Sequence, residues 1–398
     1  MRLKRMKITV SLLLFLSFWA RGQFWQQQAN FPGNPRDDGA QFSIGNLHFC
    51  GTGRGSNFAC TGDFFVFDSY NQTWNTIASL PIWQERQYAS AFSYQAQGYI
   101  LGGENCNGYF FKSFWRYAPL TDTWEPMPEF PGTGRAGAQH FIIGPTIYWV
   151  GGRNETGILN EVWCFHFDTQ QWEQLSNLPF AGVWRGIGFS NDPFGYVTGG
   201  RTNEANQTGW NTQTWRYDPQ LDLWNDYSAQ LSFGTRMYIG GAQKDSLLFV
   251  FGGVDINDNV LNTFEKINLN TFQIEQLLPF TGAARKGCMS FVGNDYFHLS
   301  TGIAANDRLN ETWRIALSPE AQIKEKNLFE VAIDLQDAVL LISSSPELIG
   351  ETIKIKDIHG RVLAELSINK THEYIPLENL NSGLYFVEIR QMMKQFWR

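Results

Sequence analysis

Short apolar runs, each ended by a glycine pair or its remnant, recur along most of the chain. Six copies read FCGTG, YILGG, IYWVGG, GYVTGG, LLFVFGG and HLSTG, and their last glycines are Gly53, Gly103, Gly152, Gly200, Gly253 and Gly302. Consecutive copies lie 48 to 53 residues apart. Apolar runs of this length, bounded by turn residues, predict β-strands, and a regular period near fifty predicts a tandem array of one structural unit.

Aromatic positions divide each unit further. A strand-like stretch follows each glycine pair, and in three copies its tryptophan is followed by another nine residues later, as in Trp115 and Trp124. A proline-containing segment and, in most copies, an arginine then precede the next apolar run. This combination resembles the kelch repeat, in which each repeat forms one four-stranded antiparallel blade of a β-propeller. The resemblance covers roughly residues 24–320 and implies an all-β fold.

The two ends of the array are incomplete in complementary ways. Residues 24–38 hold a tryptophan, a proline segment and an arginine without the strands that should precede them. The last copy, residues 312–319, has no tryptophan-bearing fourth strand. We therefore expect a six-bladed propeller over residues 23–319, with the strand near Trp25 completing the blade that contains Trp313.

The N-terminus has the pattern of a secretory signal. A basic stretch from Arg2 to Lys7 precedes an apolar run from Ile8 to Trp19 and then the small residues Ala20 and Gly22. This run is too short to cross a bilayer as a helix, so we predict a cleavable signal peptide over residues 1–22. No later segment is apolar enough to be a candidate transmembrane helix.

After Pro319 the repeat pattern stops. A polar linker over residues 320–327 leads into alternating strands over residues 328–398, including KIKDIHGR and LNSGLYFV. These segments resemble the C-terminal sorting domain of the type IX secretion system, and the matching residues are Asp357, Gly360, Arg361, Gly383, Leu384, Tyr385 and Lys394. The resemblance implies a small Ig-like β-sandwich, a link to the secretion machinery, and export across the outer membrane of a Gram-negative bacterium, often to the cell surface.

Charge and cysteine content limit the chemistry. The net charge of −7 gives no support for nucleic-acid binding. Cys60 and Cys106 lie in neighbouring loops and are a possible disulfide, whereas the other three cysteines, Cys50, Cys164 and Cys288, are expected in strands. The cysteine spacing does not resemble a metal site, and the histidines of the array fall on different strand types. We therefore predict no metal, no cofactor and no catalytic residue.

Arginines concentrate on one predicted face of the propeller. One set precedes the first strand of each blade: Arg36, Arg86, Arg135, Arg185, Arg236 and Arg285. Arg153, Arg201 and Glu104 follow glycine pairs on the same face, and Trp184 lies beside it. The first set has two interpretations. It ties the blades together through backbone carbonyls, or it forms a ring of guanidinium groups that binds carboxylates at the mouth of the propeller.

Three functions are compatible with this pattern. We favour a secreted or cell-surface module that binds a protein or glycan at the arginine-bearing face without catalysis. The alternative is a sialic acid or sugar-acid mutarotase that uses the same pocket, with Glu104 as its acid or base, because some bacterial kelch proteins have that activity. A role in adhesion without a small ligand also remains open, since a fold does not determine a function.

Overall fold

The regular elements of this protein are β-strands. The computed structural model describes residues 24–203, 209–232, 234–293, 295–317, 329–334, 339–344, 348–357, 361–376, 384–389 and 392–397. The predicted signal peptide and linker lie outside these residues. Among the described residues, no helix is long and apolar enough to cross a membrane. The predicted all-β class is confirmed.

Six four-stranded antiparallel sheets follow one another along the described part of residues 24–317. Sheet 1 contains Ala40–Ile44, Leu47–Gly51, Phe64–Asp68 and Thr73–Ile77, and sheet 2 contains Ser90–Tyr94, Gln97–Leu101, Phe114–Ala118 and Thr123–Pro126. Sheet 3 contains Gln139–Ile143, Thr146–Val150, Val162–His166 and Gln171–Leu175, and sheet 4 contains Ile187–Asn191, Phe194–Thr198, Thr214–Asp218 and Leu223–Asp226. Sheet 5 contains Gly240–Lys244, Leu247–Phe251, Phe264–Asn268 and Gln273–Gln276. Sheet 6 contains Met289–Gly293, Tyr296–Ser300, Thr312–Ala316 and, from the other end of the chain, Gln26–Gln27.

The N-terminal strand completes sheet 6. Gln26 pairs with Arg314, and the neighbouring Trp25 is buried between sheets 5 and 6. Its ring meets the edge of the Phe280 ring at a centroid distance of 4.9 Å, and its indole Nε1 donates to the Leu278 carbonyl at 3.2 Å. The first and last segments of the array are therefore held together by both backbone pairing and aromatic packing.

The repeated aromatics join neighbouring sheets. Trp124 Nε1 donates to the Ala78 carbonyl at 2.9 Å, and Trp172 Nε1 donates to the Pro128 carbonyl at 3.0 Å, each acceptor lying at the end of the preceding sheet. Aromatic rings on the first two strands of a sheet also stack on each other, as for Phe189 and Tyr196, whose centroids are 5.1 Å apart. These tryptophans build the scaffold, because each hydrogen bond reaches into the adjacent repeat.

The first strands of all six sheets surround a central cavity of about 490 Å³. They touch laterally, for example through Ser90 Oγ, which donates to the Ala138 carbonyl at 3.1 Å. Connections from the second to the third strand, and from each sheet to the next, lie on one side, which we call the mouth face. Short strand pairs reinforce this face: Arg36–Asp37 with Arg54–Gly55, Arg153–Asn154 with Gly157–Ile158, Arg236–Met237 with Val254–Asp255, and Ile303–Ala304 with Asp307–Arg308.

The C-terminal region forms two further sheets. A three-stranded sheet contains Phe329–Asp334, Val339–Ser344 and His372–Pro376, and a four-stranded sheet contains Val362–Ser367, Thr352–Asp357, Leu384–Ile389 and Met392–Trp397. A separate apolar core that includes Leu340, Ile355 and Val387 lies between them. An Ig-like topology for this region stays a prediction.

Two residues of the predicted sorting motif are hydrogen-bonded to each other. The Arg361 backbone N–H and its Nε both donate to the Asp357 carboxylate, at 3.0 and 2.6 Å. Leu384, Tyr385 and Lys394 belong to the last two strands, whereas Gly360 and Gly383 lie outside the described residues. Asp357 therefore holds Arg361 beside the end of the strand Thr352–Asp357.

Candidate functional site

Five of the six predicted arginines are internal to the fold. Each guanidinium Nη1 donates at 2.8 to 3.4 Å to the carbonyl sixteen positions later, at the first residue of the glycine pair or its equivalent. These five, with exposed fractions of 0 to 2%, are Arg36, Arg86, Arg135, Arg236 and Arg285, and we call them the spoke arginines. They keep the carbonyl at the sharp turn after the second strand satisfied.

Other internal groups bind the remaining spoke donors. Arg285 Nη2 donates to Glu311 Oε2 at 2.6 Å, and Arg36 Nη2 donates to Asp63 Oδ2 at 2.8 Å. The Arg86 guanidinium carbon lies 4.0 Å from the centre of the Phe111 ring. The donors of these five residues are bonded internally and almost none of their surface is exposed, which speaks against ligand binding by them. Each bond to a backbone carbonyl lies within one sheet, so these arginines stabilise individual sheets, and a role in tying the blades together stays a prediction.

Sheet 4 departs from this pattern. Val183, which is fully buried, occupies the spoke position. The glycine-pair carbonyl of this sheet, at Gly199, instead accepts a hydrogen bond at 3.1 Å from the buried side-chain amide of Asn211. Arg185 lies two residues beyond the spoke position, so grouping it with the spoke arginines was wrong by two residues of register.

Arg185 belongs to a second ring, closer to the axis. The six equivalent residues all have φ between 58° and 64°, and we call them the mouth ring: Asp38, Tyr88, Gly137, Arg185, Tyr238 and Gly287. Their backbones are joined around the axis, with Tyr88 N donating to Asp38 O at 3.1 Å and Gly137 N donating to Tyr88 O at 2.8 Å. Three further bonds of this kind link Arg185 to Gly137, Tyr238 to Arg185 and Asp38 to Gly287. The left-handed conformation thus accompanies the backbone hydrogen bonds around the axis, although four of the six residues are not glycine.

Two mouth-ring side chains meet across the axis. Arg185 Nη2 donates to Asp38 Oδ1 across the axis, and both side chains are at least 93% buried. The Arg185 guanidinium carbon lies 3.9 Å from the Tyr88 ring centre and 3.5 Å from that of Tyr238. The site is therefore an ion pair held between two aromatic rings, which is a strong arrangement for a desolvated guanidinium.

A second carboxylate lies beside this ion pair. Asp37 accepts a hydrogen bond from Arg308 Nε at 2.6 Å. Burial, together with the neighbouring Asp38 charge, raises the pKa of Asp37 to about 6 despite the arginine. A buried carboxyl group with a pKa near neutrality can exchange protons at physiological pH.

Trp184 links the mouth ring to the surrounding loops. The Arg153 guanidinium carbon lies 4.7 Å from the Trp184 ring centre, and Arg153 Nη2 contacts both Glu104 oxygens at 2.9 and 3.1 Å. Gln87 Nε2 also donates to Glu104, at 3.0 Å. Glu104 is therefore held by two partners. Arg201, the remaining predicted residue of this face, stacks its guanidinium on Trp210 at 4.9 Å.

Several donors at the mouth lack an acceptor. Among the described residues, no partner is found for the buried atoms Arg153 Nε, Trp184 Nε1 and Arg185 Nη1. Of these three residues, Arg185 lines a cavity of about 150 Å³, which we call the mouth cavity and which is also lined by Asp38, Tyr88 and Tyr238. Buried donors of this kind require acceptor oxygens from water or a ligand, because an unpaired buried donor costs about 1–3 kcal/mol. We call Asp37, Asp38, Tyr88, Trp184, Arg185 and Tyr238 the mouth cluster.

Cysteines join two loops near this cluster. The sulfur atoms of Cys60 and Cys106 are bonded, with their Cα atoms 5.4 Å apart, and the bond connects the loops of sheets 1 and 2 on the mouth face. Of the other cysteines, Cys50 and Cys164 are buried, and Cys288 lines the mouth cavity. The disulfide therefore fixes the rim of the face next to Glu104.

Sequence reasoning selected Arg185 and Trp184 but missed Asp37, Asp38, Tyr88 and Tyr238. A signal was present, because each mouth-ring residue lies two positions before the first strand of its sheet. If positions are counted back from the first strand of each sheet, and not from the nearest arginine, Arg185 aligns with Asp38 and the two tyrosines. The pairing of Arg185 with Asp38 needed the structure, since these residues are 147 positions apart.

Comparisons with known proteins agree with this architecture. The family described as KLHDC2/KLHL20/DRC7 Kelch-repeats domain matches residues 25–186, and the Secretion system C-terminal sorting domain matches residues 335–397. The solved chain titled "Structure of YjhT" aligns with a TM-score of 0.58 and 16% identity, covering 72% of this chain and 95% of that one. The protein is a kelch-type β-propeller with a C-terminal secretion sorting domain.

Two curated relatives are similar at low identity. Kelch-like protein 35 of Mus musculus is 24% identical over 260 residues, which are 65% of this chain but only 42% of that protein. N-acetylneuraminate epimerase of Escherichia coli K12 is 26% identical over 302 residues, covering 61% of this chain and 82% of that protein. The chain thus spans less than half of the mouse protein and most of the bacterial one.

Proposed function

We propose that this protein is exported by the type IX secretion system to the cell surface of a Gram-negative bacterium, and that its propeller binds an acidic sugar, free or within a glycan, at the mouth cluster. The sorting-domain match and the predicted signal peptide support the export route. A glycan is favoured over a protein partner because the chemistry is concentrated at one small axial site instead of spread over the outer loops.

The unpaired donors carry this proposal. Arg185 lines the mouth cavity, and Trp184 Nε1 lies against Gly137 in the lining, so a ligand carboxylate in the cavity would have two buried donors near it, Arg185 Nη1 and Trp184 Nε1. Trp184 and the two tyrosines supply aromatic faces, on which the apolar face of a sugar packs. At about 150 Å³, the cavity takes a carboxylate and a few ring atoms, so the rest of the sugar would lie on the surrounding loops.

A sugar-acid mutarotase is the second candidate. Opening a sugar ring needs a base to remove the anomeric hydroxyl proton and an acid to protonate the ring oxygen, and such groups work best with a pKa near the working pH. Asp37, with its pKa raised to about 6, meets that requirement better than Glu104, which Arg153 and Gln87 hold. The similarity to N-acetylneuraminate epimerase of Escherichia coli also favours this candidate.

Both candidates can be tested on the mature full-length protein. We would screen a glycan array that includes sialylated and uronic-acid glycans, then titrate N-acetylneuraminate and glucuronate by calorimetry. The paired variant Asp38→Asn, Arg185→Gln removes the mouth charges together, and Arg116→Gln, which removes a surface ion pair with Glu125, is the matched control. We expect saturable binding that the paired variant weakens tenfold or more and the control retains.

The outcomes separate the candidates. A blank array with a folded protein, or binding that survives the paired variant, would overturn the acidic-sugar proposal. If binding is found, NMR exchange spectroscopy of N-acetylneuraminate anomers decides whether catalysis accompanies it. Accelerated interconversion that Asp37→Asn abolishes would make the protein a mutarotase, whereas an unchanged rate would leave a binding module.

A further inference from the structure

Three potential metal ligands meet on one face of sheet 3, far along the strands from the mouth cluster. Cys164 and His166 lie two residues apart on the third strand, so their side chains share a face. Glu173 on the fourth strand pairs directly with Cys164. We propose that Cys164, His166 and Glu173 bind a zinc ion.

The distances suit one tetrahedral ion. Cys164 Sγ lies 3.5 Å from His166 Nε2, which lies 3.1 Å from Glu173 Oε2, and all three ligand atoms lie within 4.8 Å of one another. Zinc bonds of about 2.3 Å to sulfur and about 2.0–2.1 Å to nitrogen and oxygen place tetrahedral ligand atoms roughly 3.3–3.6 Å apart. An ion therefore fits after shifts of a few tenths of an ångström for the first two pairs, and after the third pair, Cys164 Sγ and Glu173, closes from at most 4.8 Å by up to about 1 Å.

A neighbouring hydroxyl orients the imidazole. Thr146 pairs with His166 across the sheet, and its Oγ1 lies 3.1 Å from His166 Nδ1. This contact directs Nε2 toward Cys164 and Glu173. Metal-binding histidines are usually held by a hydrogen bond at the other ring nitrogen, which fixes the tautomer and the ring orientation.

Equivalent positions in other sheets carry a cation at this place. In sheet 2, Glu125 pairs with Arg116 across the strands, and in sheet 5, Glu275 pairs with Lys266, whose Nζ is 2.6 Å from the carboxylate. Cys164 stands in sheet 3 where those sheets have arginine and lysine. Sheet 3 thus keeps the carboxylate but replaces the basic side chain with a thiol, and a divalent cation would restore the missing positive charge.

The ligand set and its exposure indicate the kind of site. A thiolate, an imidazole and a carboxylate together favour zinc over magnesium or calcium, which prefer oxygen ligands alone. Cys164 is 1% exposed, whereas the side chains of His166 and Glu173 are 37% and 60% exposed. An ion would therefore be reached from solvent and would keep its fourth position for water or another small ligand.

This proposal differs from the sequence-based prediction of no metal site. That prediction rested on the cysteine spacing, because the expected zinc patterns place two cysteines close in sequence, and on histidines that fall on different strand types. Here the three ligands are a cysteine, a histidine and a glutamate, and strand pairing brings them together. The inference is independent of the proposed sugar site, since none of these residues lines the mouth cavity.

Cobalt(II) is a suitable spectroscopic probe. We would titrate the metal-free, full-length mature protein with cobalt and then displace the cobalt with zinc, measuring zinc affinity by competition with a chelating dye. We expect one equivalent to bind with a thiolate-to-cobalt charge-transfer band, which Cys164→Ser abolishes. Cys288→Ser should retain the band, because that thiol lies at the mouth of the propeller.

Two further variants keep the test decisive if Cys164→Ser fails to fold. His166→Gln and Glu173→Gln change partly exposed side chains, and each should weaken zinc binding by roughly a hundredfold while thermal unfolding without metal stays near that of the wild type. Zinc should raise the midpoint of thermal unfolding of the wild type and of Cys288→Ser only. The proposal is overturned if no stoichiometric metal binds, or if the glutamine variants bind zinc as the wild type does. In that case the contact between His166 and Glu173 is a surface hydrogen bond.

Discussion

The spoke arginines and Arg185 lie within two residues of the same position in their repeats, yet their surroundings differ. A spoke arginine such as Arg135 donates to the Gly151 backbone carbonyl and to Glu161, so the fold itself supplies its partners. Arg185 instead contacts side chains of three other sheets and keeps one donor without an acceptor. Residues that serve every repeat stabilise the scaffold, whereas the chemistry lies at the neighbouring position, where the side chain changes from sheet to sheet.

The largest expected effect comes from removing a spoke. Arg135→Met fills much of the same volume but leaves the buried Gly151 carbonyl without its donor and Glu161 without its cation, so that Glu161 keeps only the bond from Trp163 Nε1. We expect the free energy of unfolding to fall by about 4 kcal/mol, because a buried carbonyl is left unpaired and a partly buried ion pair is broken. Urea denaturation followed by tryptophan fluorescence measures this change, with Arg116→Gln, which breaks a partly exposed ion pair, as the control.

No second substitution should rescue this variant. Adding Glu161→Gln removes the carboxylate that has lost its cation, but the Gly151 carbonyl remains unsatisfied because it belongs to the backbone. A double variant with wild-type stability would show that the spoke arginines do not hold the turn.

The mouth pair should behave differently. Arg185→Gln alone leaves Asp38 buried without its cation, which we expect to cost about 3 kcal/mol in unfolding free energy. Combining it with Asp38→Asn removes both charges, and stability should return to within about 1 kcal/mol of the wild type. A double-mutant cycle in urea measures the coupling, and additive losses would contradict the assignment of these residues as one pair.

Sequence reasoning reached the scaffold because the scaffold repeats. Glycine pairs and spaced tryptophans recur at fixed intervals, since each sheet must bury the same faces against its neighbours. The incomplete N-terminal copy around Trp25 likewise indicated which sheet it would join, and Gln26 pairs with Arg314 in sheet 6. Periodicity therefore carries information about strands, turns and their order.

The mouth cluster was harder to predict because it does not repeat. Its six ring positions hold four residue types, and its central contact joins the first and fourth sheets across the axis. In sheet 4 Val183 occupies the position of the spoke arginine. Arg185 follows two residues later and looks like a spoke arginine in the sequence. The register of Arg185 can be counted back from the first strand of its sheet, but the compensating bond from Asn211 to Gly199 has no signature in one sequence.

The pH dependence of stability tests the carboxylate beside the mouth pair. Burial and Asp38 raise the pKa of Asp37 in the folded protein from 3.8 to about 6, so the folded state holds this proton more tightly than the unfolded state does. Stability should therefore fall as pH rises from about 4 to about 6, by roughly 1–3 kcal/mol from this group. Asp37→Asn removes the group, so its stability profile should lose that decline relative to the wild type. Parallel profiles would show that the pKa of Asp37 is not raised.

The smallest effect concerns the glycines of the mouth ring. Gly137 has φ of 64°, and a Cβ added there would lie 2.4 Å from Trp184 Nε1. Gly144, at a turn of the same sheet, has φ of 53° with no atom within 4 Å of such a Cβ. Gly144→Ala should therefore cost only the strain of a left-handed alanine, about 1 kcal/mol, which makes it the matched control.

Gly137→Ala should cost that strain and about 1 kcal/mol more, because the new methyl group must displace Trp184. Trp184 is the side chain that connects Arg153 to Arg185, so the same variant should weaken binding of an acidic sugar while Gly144→Ala leaves it unchanged. Equal losses of stability and unchanged binding in both variants would mean that the mouth ring needs glycine only for its backbone conformation. An additional loss confined to Gly137→Ala would mean that the ring also reserves space for the side chain that completes the site.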